Sequence, residues 1–453
     1  MKIRVAVVLM SVLSGHAVFG DDILVPDDIS SIQSAVKVAN EGDRILVSPG
    51  VYYESVSIVD KSIEIVGVDG AESTTLNASL LGGSAMVIEN STVSIEGIAI
   101  KNGQAVNGGG MNSVESYVSL TECIVTSNSA SSKGGGLFVD GGSLSMHEVS
   151  IDTNDTDGAG GGIYIRYSTS CVINNSTLNG NLASNGGAIY FKDLDGDIEV
   201  GDSELINNMA DNNGGAIYIK NSSLNVSGTS FESNSANRGG AIATYLSGNV
   251  VMQGGIFQSN GASDVGGAAD IRSSTCSFTL TSFDSNVADN DCDGSGEGGA
   301  INNSNSSVTV TDIVLCANMS CNDLDDFSGD NVIVEGETGG CDVSAGACCG
   351  GSACWIMEEI ECIEGGGTFL GGGSVCVSDS CVGSVEVGSC CISPVCVMTT
   401  ESGCDDAGGE YGGELVECSE VICESTCAAD INQDGSVDVD DLILVISYWG
   451  ACP

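Results

Sequence analysis

The sequence predicts an all-β chain. A parallel β-helix solenoid fills most of its length, followed by two small cysteine-rich modules and a short C-terminal tail. Three observations support this prediction. A glycine-rich segment recurs about every 26 residues, cysteines become dense after Cys341, and the last residues contain regularly spaced oxygen-bearing side chains. The boundaries divide the 453 residues into five segments: 1–20, 21–340, 341–385, 386–427 and 428–453.

The first segment, residues 1–20, has the pattern of an export signal. Two basic residues precede an apolar run from Val5 to Leu13, and small residues follow, with the cut expected after Gly20. The run is too short to span a bilayer, and no later segment is long and apolar enough to be a transmembrane helix. We therefore expect a secreted protein, extracellular or at the cell surface, that does not insert into a membrane.

The net charge of the chain indicates which binding partners to expect. Loss of Lys2 and Arg4 with the signal leaves 10 basic residues against 62 acidic ones, a formal charge of −52. Nucleic acid is therefore not an expected partner, whereas cations are. The 21 cysteines of an exported chain imply disulfides.

The solenoid prediction comes from two short sequence motifs that recur along the chain, here called the glycine beat and the second beat. The glycine beat reads GGG at 108 and 134, GGGIYI at 160, GGAIYF at 186, GGAIYI at 214, GGAIAT at 239, GGAADI at 266 and GGAINN at 298. The second beat reads FESN at 231–234, FQSN at 257–260 and FDSN at 283–286. Short alternating runs without helical periodicity indicate one coil per repeat. Stacked coils should form ladders of Ile on Ile, Phe on Phe and Asn on Asn, with rungs ~4.8 Å apart.

These paired beats resemble the repeats of polymorphic outer-membrane proteins of the chlamydial type, which form right-handed parallel β-helices. Segment 30–68 resembles the N-terminal cap and first coils of pectin-lyase-like β-helices, where a short helix, here about 32–39, closes the open end. Together the resemblances cover residues 22–335 and imply a right-handed parallel β-helix. They do not assign a function, because this scaffold carries lyases, hydrolases, esterases and non-catalytic adhesins.

Two tandem copies of one cysteine pattern, CC-x4-C-x7-C-x13-C-x4-C, follow the repeats. The first copy uses Cys348, Cys349, Cys354, Cys362, Cys376 and Cys381, and all six recur 42 residues later. Each copy can hold three disulfides. Zinc is the alternative, although neither copy contains histidine. The copies resemble GACC-type cysteine repeats of secreted proteins from planctomycete-like bacteria, and we expect them to be spacers or rigid stalks.

The tail contains a candidate calcium loop of the EF-hand type. Oxygen side chains stand at positions 1, 3, 5, 9 and 12, glycine at position 6, and a backbone carbonyl at position 7. The predicted ligands are Asp430, Asn432, Asp434, Ser436, Asp438 and Asp441. The alternative is an acidic, solvated turn. Pairing of Cys427 with Cys452 would clamp the ends of this unit.

The loop resembles one half of a dockerin repeat, in which Asp rather than Glu stands at position 12. The second repeat is missing, and Val439 and Asp440 replace the hydroxyl pair often used to recognise cohesin. The resemblance therefore implies Ca²⁺ binding but not cohesin docking. A protein partner for the tail stays an open alternative.

A second acidic string, Asp289-x-Asp291-x-Asp293-Gly294, lies in the longest insertion between beats. Its position 12 is Ala300, which cannot ligate, so the string is either a weak calcium site or an acidic loop. Outside the modules, three cysteines are near enough in sequence to bridge neighbouring coils: Cys292, Cys316 and Cys321. Cys123 and Cys171 are expected to be small core residues.

The sequence favours a protein without catalytic activity. The mature chain keeps one histidine, His147, whose alternation with Leu144 and Met146 predicts a solvent-facing side chain. The Asn-Thr-Asp and Gly-His-Gly strings of hydrolases with this fold are absent, as is the Arg-x-Pro-x-x-Arg string of the lyases. A lyase or glycoside hydrolase therefore rests on fold analogy alone.

A candidate ligand stripe emerges when the coils are aligned on their glycines. Positions 4 and 6 should point inward: Leu137, Ile163, Ile189 and Ile217, with Val139, Ile165, Phe191 and Ile219. Positions 5 and 7 then point outward and pair an aromatic residue with a cation. The pairs are Tyr164 with Arg166, Tyr190 with Lys192, and Tyr218 with Lys220.

The stripe has two interpretations. Aromatic faces can stack on sugar rings while cations hold carboxylate or sulfate groups, which favours an anionic polysaccharide running along the helix axis. Alternatively, the tyrosines stabilise the sheet and the cations relieve acidic repulsion. We expect a secreted or cell-surface binding or adhesion protein that contacts polysaccharide and carries a calcium-binding tag. The alternatives are a carbohydrate-active enzyme and a dockerin-bearing component of an extracellular assembly.

Overall fold

The computed structural model describes a solenoid and parts of the two modules. The described residues are 20–79, 81–194, 196–290, 296–320, 323–324, 326–329, 332–339, 345–350, 353–358, 362–363, 367–369, 387–392, 395–400 and 410–414. The chain divides into two compact units, Met1–Ser380 and Cys381–Pro453. The solenoid lies in the first unit and confirms the predicted all-β parallel architecture.

Sheet 1 is formed by the strands that follow the glycine beat, and all of its pairs are parallel. Its strands are Val56–Val59, Met86–Glu89, Met111–Val114, Leu137–Asp140, Ile163–Arg166, Ile189–Lys192, Ile217–Lys220, Ile242–Tyr245, Ala269–Arg272, Ile301–Ser304 and Phe327–Gly329. The first and third residues of the strands from Leu137 to Lys220 belong to the main core, as alternation predicts.

Sheet 2 holds two strands from most coils. Its first column contains Asp22–Val25, Arg44–Val47, Ser62–Gly67, Thr92–Glu96, Tyr117–Thr121, Ser143–His147, Ser170–Asn174, Asp197–Gly201, Leu224–Ser227, Asn249–Gln253, Thr275–Thr279, Ser307–Cys316 and Val332–Gly339. Its second column contains Gly50–Tyr52, Thr74–Asn77, Ala99–Lys101, Ile124–Thr126, Ser150–Asp152, Thr177–Asn179, Glu204–Ile206, Ser230–Glu232, Ile256–Gln258 and Ser282–Asp284.

Sheet 3 lies just before the glycine beat of each coil. Its strands are Gln104–Asn107, Ser129–Lys133, Asp155–Thr156, Leu182–Asn185, Met209–Asn213, Ser235–Ala236, Gly261–Ala262, Val287–Ala288, Met319–Ser320 and Asp323–Leu324. Only its last pair is antiparallel. The three sheets enclose one continuous apolar core.

The predicted N-terminal helix forms over Ile32–Val38 and is here named α1. The Ser31 hydroxyl accepts from the backbone N–H of Ser34, and the Glu54 carboxylate accepts from those of Ile32 and Gln33. These acceptors satisfy donors that a helix start leaves unpaired. One face of the helix packs into the core of the first coils.

The second beat supplies two interior ladders, and both confirm the prediction. From Asn128 to Asn286, each asparagine side chain donates to the side-chain oxygen of the next asparagine at 2.9–3.1 Å. The ladder consists of Asn128, Asn154, Asn181, Asn208, Asn234, Asn260, Asn286 and Asn318. Phe231, Phe257 and Phe283 stack with ring centroids 4.6 and 5.0 Å apart.

Each described part of the cysteine-rich modules contains a small antiparallel sheet. The strands are Ala345–Gly350, Ala353–Glu358 and Thr368–Phe369 in the first, and Val387–Ile392, Val395–Thr400 and Glu410–Glu414 in the second. Cys348 and Cys362 of the first module form a disulfide. This bond agrees with the disulfide interpretation for that pair.

Candidate functional site: a basic row beside buried tyrosines

The site is built by the register of sheet 1. From the strand that begins at Met111 to the strand that begins at Ile301, each coil enters the sheet through a glycine at positive φ, such as Gly186, followed by a second glycine. A Cβ on Gly187 would collide with the backbone oxygen of Gly215. Only glycine fits there, so these coils turn at the same point. The in-register pairing then stacks second residues on second residues and fourth on fourth.

The second residues form what we call the tyrosine row: Phe138, Tyr164, Tyr190 and Tyr218. It is a cluster separate from the main core, so the predicted outward direction is correct. Ring centroids lie 5.6, 5.1 and 4.9 Å apart along the row. The tyrosines nevertheless expose only 2%, 8% and 8% of their surface. The expectation that their faces are open to sugar rings is wrong, because the rings pack on one another, stacked for Tyr190 on Tyr218 and edge to face for Tyr164 on Tyr190.

The edge of the tyrosine row differs from its faces. The hydroxyl oxygens of Tyr164, Tyr190 and Tyr218 make no hydrogen bond to a described residue, and none of these oxygens is fully buried. Only a small part of the hydroxyl edge can therefore reach solvent. Burial of the rings raises the pKa of Tyr164 to about 12, so these hydroxyls stay protonated donors at neutral pH.

The fourth residues form what we call the basic row: Arg166, Lys192, Lys220, Tyr245 and Arg272. Lys133 and Arg238 lie on the opposite side of the tyrosine row. Six of the ten basic residues after residue 20 thus surround one strip of surface, and no lysine or arginine follows Arg272. Burial and then the charges of Arg166 and Lys192 lower the pKa of Lys133, because like charges lie close together here.

The cations differ in how far they are neutralised. Arg166 is bound to Asp140 at 2.5 Å, and Lys192 lies 3.3 Å from Asp193. Within the described part of the chain, Lys133 and Lys220 have no carboxylate within 4 Å of their ammonium groups. Their charges instead face the rings of Tyr164 and Tyr245. Lys133 and Lys220 therefore keep the most capacity to bind an added anion, and Lys192 is partly neutralised by Asp193.

A buried ion cluster ends the tyrosine row. Asp270 stands in the same register column as the tyrosines, is fully buried, and lies 3.0 Å from Arg238 and 2.9 Å from Arg272. Arg238 also contacts Asp264 at 2.6 Å, and Asn302 donates to Asp270 at 2.6 Å. The guanidinium groups at this end are held by carboxylates, which suits a structural role.

Two aromatic residues at the surface were missed from the sequence. Tyr245 interrupts the basic row, and its ring faces both Lys220, at 5.5 Å, and Arg272, at 5.7 Å. Tyr167 directly follows the basic row, is 56% exposed, and has its ring 5.4 Å from the Arg166 guanidinium. The adjacent Arg166 and Tyr167 were the available signal for Tyr167, which stands at position 8, one place beyond the outward positions 5 and 7 of the repeat.

The other predicted sites are placed as follows. His147 is exposed, as predicted, and lies 3.4 Å from Glu148. Cys123 and Cys171 are buried, also as predicted, and burial raises the pKa of Cys123 to about 11 and of Cys171 to about 12. The calcium loop of the tail and the string from Asp291 onward lie outside the described residues.

No group of three or more histidine, cysteine, aspartate or glutamate side chains is arranged to hold a metal ion in the described ranges. Across those same residues, no helix combines the length and apolar character needed to cross a membrane.

Comparison with known proteins adds a repeat family and a distant structural neighbour. Residues 202–220 match the Chlamydia polymorphic membrane protein (Chlamydia_PMP) repeat. This segment contains the GGAIYI glycine beat and, at 205–208, the string LINN, a looser form of the second beat. Among solved structures, the A-module of mannuronan C-5 epimerase AlgE6 from Azotobacter vinelandii is similar at 12% identity. The match covers 68% of this chain and 93% of that one, with a TM-score of 0.34, too low to support an inference about activity. No curated protein matches this chain.

Proposed function

We propose that this chain is a secreted or surface-exposed, non-catalytic binding protein whose basic row holds an anionic polysaccharide. The observation that carries the proposal is the concentration of six cations on one strip of a chain with formal charge −50, where Lys133 and Lys220 have no carboxylate of a described residue within 4 Å of their ammonium groups. In such a chain, a local cluster of cations is the part of the surface that attracts an anion. The hydroxyl groups of the tyrosine row, which are largely buried, lie beside these charges and make no hydrogen bond to a described residue.

The spacing of the row suits a linear polymer. Successive coils present their fourth residues ~4.8 Å apart, the spacing of neighbouring strands. Arg166, Lys192 and Lys220 therefore form a straight line of charges parallel to the solenoid axis. A polymer with one acidic group on each sugar can place successive groups beside successive coils. This geometry favours a chain lying along the axis over a small anion.

The test is retention on an immobilised acidic polysaccharide. The Lys192→Ser/Lys220→Ser variant should elute from alginate at lower salt than the parent, because it loses two neighbouring cations of the basic row. A triple variant that adds Arg166→Ser should elute earlier still. Melting should stay close to that of the parent, since both lysines are partly exposed.

A matched control removes two cations elsewhere. Lys37 lies exposed on α1 and Lys101 lies on sheet 2, so Lys37→Ser/Lys101→Ser changes net charge equally and leaves the basic row intact. The control should elute with the parent. Equal elution of all variants, or no retention of the parent on alginate or on a sulfated matrix, would contradict the proposal.

We further propose that the tail is a calcium-binding tag held by Asp430, Asn432, Asp434, Ser436, Asp438 and Asp441. The ligand spacing of the sequence supports this proposal.

A further inference from the structure

Tyr167 combines exposure with backbone strain. Its φ is +54°, a left-handed conformation that costs a bulky residue free energy. Polar residues that tolerate this conformation occupy the same turn in the next two coils, Asp193 and Asn221. An exposed ring held in an unfavourable conformation beside Arg166 gives the fold little that an asparagine would not. Such strain is characteristic of functional positions.

Tyr245 is the second aromatic side chain that reaches the surface of this strip. It packs against the tyrosine row on one side and remains partly exposed on the other. In its register column, Lys220 precedes it and Arg272 follows it. Tyr167 and Tyr245 thus lie at the two ends of the Lys192–Lys220 pair, three coils and ~14 Å apart.

We propose that the exposed ring of Tyr167 and the exposed part of Tyr245 contact the sugars bound at this surface, and that its ligand is a chain of uronate units with carboxylates on Lys192 and Lys220. This inference rests on the proposed function and makes it more specific. A pyranose ring has an apolar face of C–H groups that fits an aromatic ring, whereas its carboxylate fits an ammonium group. A strip with aromatic ends and a cationic centre matches an acidic sugar chain better than an acidic peptide.

The experiment compares two polyanions by titration calorimetry on the full-length protein. Alginate oligomers carry carboxylates on sugar rings, and poly-L-glutamate carries carboxylates without rings. The variant is Tyr167→Asn/Tyr245→Ser, since Asn221 and Ser304 occupy the equivalent positions in other coils. Its alginate affinity should fall roughly five- to tenfold, while its polyglutamate affinity should be unchanged.

The control is Tyr117→Thr, which removes an exposed tyrosine on sheet 2 whose register neighbours are Thr92 and Ser143. It should bind both polymers as the parent does. The inference is overturned if the double variant binds alginate unchanged, or if it loses both polymers equally. If instead the parent binds no alginate, the proposed function fails first. If the parent binds alginate and the Lys192→Ser/Lys220→Ser variant does not, the proposed function is supported whatever the result for the tyrosine variant.

Discussion

At the scale of single residues, the turn after sheet 1 shows where the fold accepts strain. Ten successive coils place one residue there at positive φ: Asp60, Asn90, Glu115, Gly141, Tyr167, Asp193, Asn221, Leu246, Ser273 and Asn305. Most are short polar residues or glycine, which visit this region at low cost. Tyr167 and Leu246 are the two bulky exceptions, and both are more than half exposed.

Replacing Leu246 with asparagine should stabilise the protein by about 1 kcal/mol, the approximate cost of a left-handed conformation for a bulky residue. Tyr167→Asn should gain less, because it also removes the cation–π contact with Arg166, worth about 0.5–1 kcal/mol. Thermal unfolding followed by circular dichroism measures both. Leu182→Asn, an exposed leucine in a regular strand of sheet 3, should give no gain. A gain for Leu182 equal to that for Leu246 would show that strain is not the cause.

At the scale of the element, the asparagine ladder joins one coil to the next. The Asn208 side chain donates to the Leu178 carbonyl at 2.8 Å and to Asn234 at 3.0 Å, and it accepts from the backbone and the side chain of Asn181. All of these groups are buried, so each one left unpaired costs about 1–3 kcal/mol. The ladder therefore fixes the height and register of each turn that enters sheet 3.

Asn208→Ala should destabilise the solenoid by about 3 kcal/mol or more, because it leaves several buried groups unpaired at once. Denaturant unfolding gives the size of the effect, and hydrogen exchange should show it concentrated in the coils next to residue 208. The comparison is Asn212→Ala, four residues on, where an exposed side chain makes one bond to the Ser184 carbonyl at 3.1 Å. Its cost should stay within about 0.5 kcal/mol. Similar losses for the two variants would rule out a special role for the ladder.

The sequence predicted the interior better than the surface, and the reason is periodicity. Ile189 and Asn181 recur at fixed positions because each must match the coils above and below, so a single sequence reveals them. Tyr190 is harder to interpret. Alternation correctly places it outside the main core, but alternation does not predict whether neighbouring rings cover it. Tyr167 was missed because tyrosine occurs only once in its column, and a feature present in one coil leaves no periodic signal.

At the scale of the whole molecule, the charges are unevenly divided. All cations lie at or before Arg272, so residues 273–453 carry only acidic charge. A C-terminal part of this composition attracts cations in general. Specific calcium binding by the tail therefore has to be separated from this background.

The full-length protein should bind one calcium ion more tightly than the acidic background does, and Asp434→Ala should abolish that one event, since position 5 supplies a ligand. Calorimetric titration with calcium in 0.15 M salt measures it. Asp440→Ala removes the same charge at position 11, which is not a ligand position, and should leave the tight event in place. Loss of the event in both variants, or in neither, would refute the loop assignment.

The stacking of one coil on the next also allows a single coil to be duplicated as a unit during evolution. Because each coil contacts only its neighbours, an in-frame duplication of a segment such as 186–213 adds a complete rung, with its own Tyr190 and Lys192, and disturbs no distant contact. Under the proposed function, every added rung contributes another attachment point for the same polymer, and linked attachment points multiply avidity. Unequal recombination between repeats can therefore change the number of coils, and with it the strength of binding, without the substitution of any residue.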